Sequence, residues 1–376
     1  MSTKFKDLCL IAIFTLVLTI IIWLPHYLSL NNFFGLNFNQ GLGAIYKNYD
    51  GLEYVVIAKT FYQPELIAKI PQSLSASYYA AHFPGYAILI LALSPILGFL
   101  KSMLFISLLF TLFSTWAFYF LVLDFKLSNH PLYLSMLFLI LPARWVIVHS
   151  IGSAEPIFIF FIITSLYFFL KYELHKNYSA LIISALCGLG AQITRPPGIL
   201  LFIALALYLA YKKRNFLTYL PLIIIPLGLL GVFTLYSFAY QDFWAYFHSG
   251  DNIHLSFPPF QVFNKHQFWV GEIWLEDIIY IFLIGFSGGL LLLKQKLYPL
   301  AFFVLVYLGA STLVVHRDIA RYTLPIFPFL IIAFEKVLIS REFKIVLVIL
   351  SLAIYLYSQN FLIENVAPIP NIGVFN

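Results

Sequence analysis

Charged residues are scarce in this chain. Asp, Glu, Lys and Arg make up 10% of its 376 residues, and hydrophobic residues make up 62%, whereas a soluble domain carries about 25% charged residues. So little charge cannot cover the surface of a separate soluble domain. The composition therefore predicts a single all-α, polytopic membrane domain over residues 1–376.

Cysteine and recognisable binding motifs are also scarce. The two cysteines, Cys9 and Cys187, lie far apart in apolar segments, which favours a packing role over a disulfide or a metal site. No glycine-rich nucleotide-binding fingerprint is visible. No internal repeat is visible either, which weakens the interpretation as an inverted-repeat transporter.

Long apolar runs dominate instead. We expect about eleven spanning helices, near 8–25, 103–123, 131–148, 156–171, 179–194, 198–211, 216–238, 277–293, 298–315, 322–338 and 345–361. The first run lacks a small-residue cleavage site and is expected to be retained. The run 83–100 is ambiguous because it contains Pro84, Pro95 and Gly98. We expect it to re-enter or to lie at the interface.

The distribution of charge predicts the orientation. With 83–100 not spanning, the short loops on one side hold more than half of the 22 Lys and Arg residues. Because basic loops stay in the cytoplasm, the N-terminus is expected inside and the C-terminus outside. Most carboxylates and histidines then fall on the outer side, which includes the long loops 26–102 and 239–276. This asymmetry predicts an active site on the extracytoplasmic face of the cell membrane.

The first outer loop contains NYDGLEYVVIAK, residues 48–59. Asp50 and Glu53 have the spacing of a capping box, which predicts the start of an interfacial helix with Glu53 as the capping partner. A carboxylate at the membrane boundary is also a candidate general base for a hydroxyl group. Both interpretations can hold together.

Other charged residues of the predicted outer face are candidates for binding an anionic substrate. Each has a structural alternative: a polar helix entrance for His82, a helix-dipole contact for Glu155, snorkelling for Arg195 and an i,i+3 pair with Asp318 for Arg321. Arg317 and Arg321 are four residues apart and would share a helix face. The candidate substrate-binding residues are His82, Arg144, His149, Arg195, Arg317 and Arg321, with the arginines suited to a phosphate and Glu155 as a second catalytic carboxylate.

A metal site has weaker support. His248, Asp251 and His254 are a weak candidate set because their spacing fits no established template. A divalent cation stays open, and no other cofactor is expected. The aromatic residues around this segment are typical of an interfacial belt.

Several motifs resemble one family of membrane enzymes. YDGLEYVVIAK (49–59) and AHFPGYAIL (81–89) resemble the first-loop motifs of PIG-V-type mannosyltransferases in the GT-C superfamily. GSAEPIFIF, TRPPGILL and RYTLPIFPFL are similar to later elements of that group. Tyr49 stands where the group often has Trp, and Gly85 stands where it usually has Leu.

The resemblance implies an inverting transfer of mannose or another hexose from a polyprenyl- or dolichyl-phosphate donor, with Asp50 as the base and Glu155 as the second acidic position. The acceptor would be a hydroxyl of a lipid, a glycan or a protein, and nucleic acid is not expected. A transporter or flippase of lipid-linked saccharides is the alternative. It predicts ionisable residues near the centres of the spanning runs, which here are nearly free of charge.

Overall fold

The protein is helical throughout the part of the chain that the structure describes. This structure is a computed structural model, and it describes residues 3–72, 74–250, 255–263, 276–368 and 372–375. Within these ranges every regular element is a helix, accompanied only by isolated β-bridges. A helix forms hydrogen bonds between its own backbone groups, and it therefore needs no partners from the hydrocarbon core of a membrane, which offers none. The predicted all-α class is confirmed.

The α-helices are numbered in chain order. The first ten are α1 Thr3–Tyr27, α2 Gly43–Tyr46, α3 Gly51–Thr60, α4 Pro64–Ile67, α5 Pro84–Leu97, α6 Phe99–Asp124, α7 Pro131–Ile140, α8 Ala143–His149, α9 Glu155–His175 and α10 Tyr178–Thr194. The others are α11 Ile199–Tyr211, α12 Ile224–Tyr240, α13 Ala245–His248, α14 Glu276–Lys294, α15 Tyr298–Ser311, α16 Ile319–Tyr322, α17 Phe327–Ala333, α18 Glu335–Leu338 and α19 Arg341–Glu364. Short 3₁₀ helices lie at Ala76–Ala81, Pro196–Gly198, Phe216–Thr218, Pro221–Ile223, Gln261–Phe263, Leu324–Ile326 and Ile372–Phe375.

Six of the described helices are long and apolar enough to cross a membrane. They are α1, α6, α9, α12 with the preceding 3₁₀ turn, α14 and α19. Helices α7 and α8 form a further apolar pair that is bent by 78°. Five shorter apolar helices accompany them: Pro84–Leu97, Tyr178–Thr194, Pro196–Tyr211, Tyr298–Ser311 and Ile319–Ala333. Each predicted apolar run thus falls on a helix or a helix pair, as expected for a multi-pass membrane protein.

Helix α5 occupies the ambiguous run 83–100. Its 14 residues reach about 21 Å, less than the hydrocarbon core of about 30 Å. Helix α5 packs against α6, which begins directly after the turn at Gly98. Its length is therefore compatible with the predicted re-entrant or interfacial segment.

The bundle has two chemically different ends. At one end the start of α1, the ends of α6 and α9 and the loop after α11 meet through ion pairs, namely Lys4–Asp124, Lys176–Glu173 and Arg214–Glu173. Helix α9 runs from there to Glu155, a distance of about 30 Å for its 21 residues. Glu155 is therefore at the opposite end from these basic residues.

Helix α3 lies inside the protein and not on its surface. Eight of its ten residues are buried, on all sides of the helix. The predicted interfacial helix is therefore wrong. The capping role predicted for Asp50 is also wrong, because its side chain makes no capping hydrogen bond to α3.

Two glycines let the first-loop segment approach other helices closely. A Cβ atom on Gly51 would lie 2.9 Å from the carbonyl oxygen of Gly152. A Cβ atom on Gly85 would lie 2.7 Å from the Thr194 hydroxyl oxygen and 2.9 Å from the Ile193 carbonyl oxygen. There is therefore no room for a leucine at position 85.

The end of α19 holds the chain just before Asp50. The buried Asn48 side chain donates to the Leu362 carbonyl oxygen at 2.8 Å and accepts from Asn365 at 3.0 Å. The backbone amide of Ala367 donates to Lys47 at 2.9 Å. These bonds fix the position of the loop that carries Asp50.

The contact at Gly51 can be tested with Gly51→Ala. The new methyl group would meet a backbone carbonyl that cannot rotate away, so we expect a loss of about 1–3 kcal/mol in the free energy of unfolding. Unfolding by SDS in mixed micelles measures it. Gly231→Ala on α12 is the matched control, because nothing lies within 4 Å of its Cβ position. Equal stability of the two variants would contradict the close approach.

Candidate functional site

A buried carboxylate lies at the centre of the candidate site. Glu155 is 0% exposed and is the first residue of α9, followed by Pro156. Its carboxylate accepts a bond from Arg321 Nε at 2.5 Å, and it also accepts from Arg195 and from the Ser153 hydroxyl. A buried charge is tolerated only when it is well paired. Glu155 therefore fixes two arginines that are far from it in sequence.

Arg321 joins this buried carboxylate to a second, more accessible one. While its Nε donates to Glu155, its terminal nitrogen Nη2 donates to Asp50 Oδ2 at 2.6 Å. The side chain of Asp50 is 31% exposed, compared with 6% for Arg321 and 0% for Glu155. Asp50 is thus the carboxylate of this group that a substrate can reach.

The ion pair sets the charge state of Asp50. Burial has the largest single effect and raises the pKa of this carboxyl, whereas the positive charge and the hydrogen bond of Arg321 lower it. The nearby His82 acts in the same direction as Arg321, and the net result is a pKa below the ordinary Asp value. Asp50 is ionised at neutral pH.

A second group of polar residues lies against Arg321. The Tyr49 hydroxyl donates to Asp318 Oδ2 at 3.2 Å and accepts from Arg144 at 2.9 Å. Arg144 also pairs with Asp318 at 3.3 Å. The guanidinium of Arg321 lies 4.1 Å from the centre of the Tyr49 ring, so a cation–π contact connects the two groups.

His82 lies close to Asp50 on the wall of the site. Its ring packs edge-on against Tyr54 at 5.3 Å and lies 5.4 Å from the ring of Tyr78. His82 is 8% exposed, and its charge is near enough to lower the pKa of Asp50. The structure therefore places His82, a candidate substrate-binding residue from the sequence, beside Asp50.

Two of the predicted anion ligands are not brought to the carboxylates. His149 is buried and its Nε2 bonds the Leu139 carbonyl at 3.0 Å, so it serves the bend between α7 and α8. Arg317 is exposed and precedes α16, which begins at Ile319. The prediction that Arg317 and Arg321 share a helix face is therefore wrong. The alternative pair Asp318–Arg321 does not form either, because each residue has a different partner.

The weak metal candidates gain no support. His248 pairs with Asp242 at 2.7 Å, while Asp251 and His254 lie outside the described residues. No group of three potential metal ligands occurs among the residues that the structure describes.

Three residues of the site were not chosen from the sequence. Tyr49 directly precedes Asp50, and Ser153 lies two residues before Glu155. Asp318 enters the sequence predictions only as a structural partner of Arg321. Their sequence neighbours offered a signal: each lies within three residues of Asp50, Glu155 or Arg321. The contacts of these three residues could not be predicted from their positions in the sequence.

The whole group balances three carboxylates, Asp50, Glu155 and Asp318, against three guanidiniums, Arg144, Arg195 and Arg321. Such a balance allows an incoming anion to replace a carboxylate as the partner of an arginine. The released carboxylate can then accept a proton. The arrangement suits proton abstraction beside a bound anion.

Comparison with known proteins does not assign the chain to a family. No protein-family model matches it, and a search of curated proteins gives no match.

Replacing the two carboxylates should separate their structural contributions. Glu155→Ala leaves two buried guanidiniums without their acceptor, and we expect a loss of about 3–5 kcal/mol in the free energy of unfolding. Asp50→Ala should cost clearly less, because Arg321 keeps Glu155 and Asp50 is partly exposed. SDS titration in mixed micelles measures both. Equal losses would contradict the central position of Glu155.

Proposed function

We propose that the chain is an integral-membrane glycosyltransferase of the GT-C type that uses a polyprenyl- or dolichyl-phosphate sugar. The observation that carries the proposal is the partly exposed carboxylate of Asp50, bonded to an arginine that a buried glutamate also holds. A base and a phosphate-binding cation are thus direct neighbours. The motifs around Asp50, His82, Glu155, Arg195 and Arg321 support the same class.

In the proposed reaction, Asp50 takes the proton of an acceptor hydroxyl. The acceptor oxygen forms a bond to the anomeric carbon of the donor sugar from the face opposite to the phosphate. The bond between that carbon and the phosphate oxygen breaks, and its electron pair leaves with the lipid phosphate. One displacement inverts the anomeric carbon.

Arg195 and Arg321 are the proposed ligands of the leaving phosphate. Arg195, which directly follows α10, and Arg321 on α16 both pair with the Glu155 carboxylate, so their guanidiniums converge without a bound anion. Cations that are already in place stabilise the charge that develops on the phosphate. Glu155 itself has its oxygens occupied and is fully buried, so we assign it a positioning role and not that of a base.

Arg321 couples donor binding to the basicity of Asp50. In the free protein Arg321 keeps the pKa of Asp50 low, which makes the carboxylate a weak base. A phosphate that binds Nη2 of Arg321 weakens the ion pair between Arg321 and Asp50 and raises the pKa of Asp50. The base thus becomes stronger when the donor is bound.

The orientation of the bundle supports an extracytoplasmic site. Basic residues gather at the far end of α9 from Glu155, and basic ends stay in the cytoplasm. We propose about eleven crossings, which comprise the six long helices, the bent pair α7–α8 and four of the shorter apolar helices, with the fifth short helix, α5, as the re-entrant segment. The membrane is the cell membrane, the sugar is mannose or another hexose, and the acceptor is a hydroxyl of a lipid, a glycan or a protein.

Asp50→Asn tests the base directly. The amide cannot accept the proton, and we expect turnover to fall by about 10²–10⁴-fold. Liposomes that contain the purified protein receive polyprenyl-phosphate mannose or glucose and a membrane extract as the source of acceptors. Release of polyprenyl phosphate is followed by thin-layer chromatography.

Asp242→Asn is the matched control for this experiment. Asp242 is also ion-paired, and its side chain is 34% exposed, close to the 31% of Asp50, yet it pairs with His248 away from the site. Its variant should keep wild-type turnover. Full turnover in Asp50→Asn would refute the base assignment. Passage of the intact donor across the bilayer without release of polyprenyl phosphate would indicate the flippase alternative.

The pH dependence of kcat/KM reports the free enzyme. Because the pKa of Asp50 is lowered, its carboxylate is kept as pH falls to the ordinary Asp value of about 3.9, and activity should be lost only below that. Arg321→Gln removes the cation, so the acidic limb of the profile, which is the pH range where kcat/KM falls as Asp50 becomes protonated, should move to higher pH by about 1–3 units. Arg321→Lys keeps the charge and should keep the limb low. An unmoved limb in Arg321→Gln would contradict the coupling.

A further inference from the structure

An apolar groove lies near the basic end of the bundle, far from Asp50. It has a volume of about 520 Å³ and is bordered by α11, α14 and α15. Its lining includes Leu207, Tyr211, Leu293, Tyr298, Phe302 and Val306. The exposed fractions of Leu207 and Tyr211 are 48% and 58%. The groove therefore opens on the outside of the helix bundle, where hydrocarbon would surround it.

Four exposed lysines lie at the mouth of this groove, in the loops after α11 and α14 and at the last residue of α14. Lys212 and Lys213 follow Tyr211 directly, and Lys294 and Lys296 lie between Leu293 and Tyr298. Lys212 Nζ lies 5.0 Å from the centre of the Tyr298 ring and 5.8 Å from that of Tyr211. This contact places a cation directly over the aromatic rings that border the groove.

These lysines are not neutralised by acidic side chains. Among the described residues, the ion pairs at this end of the bundle use Lys4, Lys176 and Arg214, and none uses the four lysines of the groove. Arg214 is adjacent in sequence but is bound to Glu173 at 3.0 Å. The mouth of the groove thus carries an unbalanced positive charge.

We propose that this groove binds an anionic phospholipid. One acyl chain lies along the apolar walls, and the phosphate lies at the mouth among Lys212, Lys294 and Lys296. A basic pocket between transmembrane helices is the arrangement that recognises acidic head groups. Apolar walls below a cationic mouth complement a molecule with a hydrocarbon chain and an anionic phosphate, and they do not complement a zwitterionic lipid as well.

The site differs from the proposed donor site in position and in chemistry. Arg195 and Arg321 lie at the other end of α9 and are already paired with carboxylates. The cations beside the groove are lysines that have no carboxylate partner among the described residues. The inference depends on the chain being embedded in a membrane, and it does not depend on the proposed glycosyl transfer.

The test compares two lipids that have the same acyl chains. Purified full-length protein receives an equimolar mixture of phosphatidylglycerol and phosphatidylcholine, and native mass spectrometry measures which lipid it retains. The wild type should prefer phosphatidylglycerol. In the combined variant Lys212→Gln, Lys294→Gln and Lys296→Gln, the ratio should fall by about fivefold for each lysine replaced. Val306→Trp fills the groove and should reduce retention of phosphatidylglycerol.

Lys171→Gln with Lys344→Gln is the matched control. These two lysines also lie over tyrosine rings, those of Tyr167 and Tyr133, but on α9 and α19, away from the groove. Their variant should keep the wild-type ratio. An equal fall in both variants would show only general attraction to the membrane surface and would overturn the proposal. So would an unchanged ratio in the groove variant, or displacement of the lipid by excess glycerol phosphate, which has no acyl chain.

Discussion

The guanidinium of Arg321 holds the candidate site together. It bonds Glu155 through one nitrogen and Asp50 through another, and it lies on the ring of Tyr49. These partners come from the start of α9 and from the loop before α3. Without this cation, two carboxylates would face each other in a nearly buried place, where neither could remain charged at low cost. The position of α16, which carries Arg321, is therefore tied to both.

Burial divides the two carboxylates into different roles. Both bind the same arginine, but one is enclosed and has several donors, while the other reaches open space beside its single ion pair. An enclosed carboxylate with occupied oxygens can hold cations but has no oxygen left for a substrate proton. The difference could not be read from the sequence, since Asp50 and Glu155 both lie in a loop or at a helix start next to a small residue.

Hydropathy predicted the helices well because each apolar run is a local property of the chain. It also predicted their bounds closely, since the runs 179–194, 198–211 and 298–315 correspond to α10, α11 and α15. Local patterns failed where tertiary contacts override them. The spacing of Asp50 and Glu53 fits a capping box, but Arg321 binds the Asp50 carboxylate more strongly than the α3 backbone would. Likewise, the four-residue spacing of Arg317 and Arg321 implies a shared face only if the helix includes both.

Tyr49 shows why the site needs its whole surroundings to be understood. Burial, followed by the charge of Asp318, raises the pKa of its phenol, so the hydroxyl stays protonated and donates to that carboxylate. Its ring lies under Arg321, and it packs against both hydrophobic cores of the protein. The same residue therefore connects the packing of the two cores to the cation that holds Asp50.

A Trp at this position could keep the cation–π contact, but its ring nitrogen would have to replace a hydroxyl that both donates to Asp318 and accepts from Arg144. Indole can only donate, so Arg144 would lose one of its two partners here. The tyrosine is thus matched to the Arg144–Asp318 pair that this chain carries.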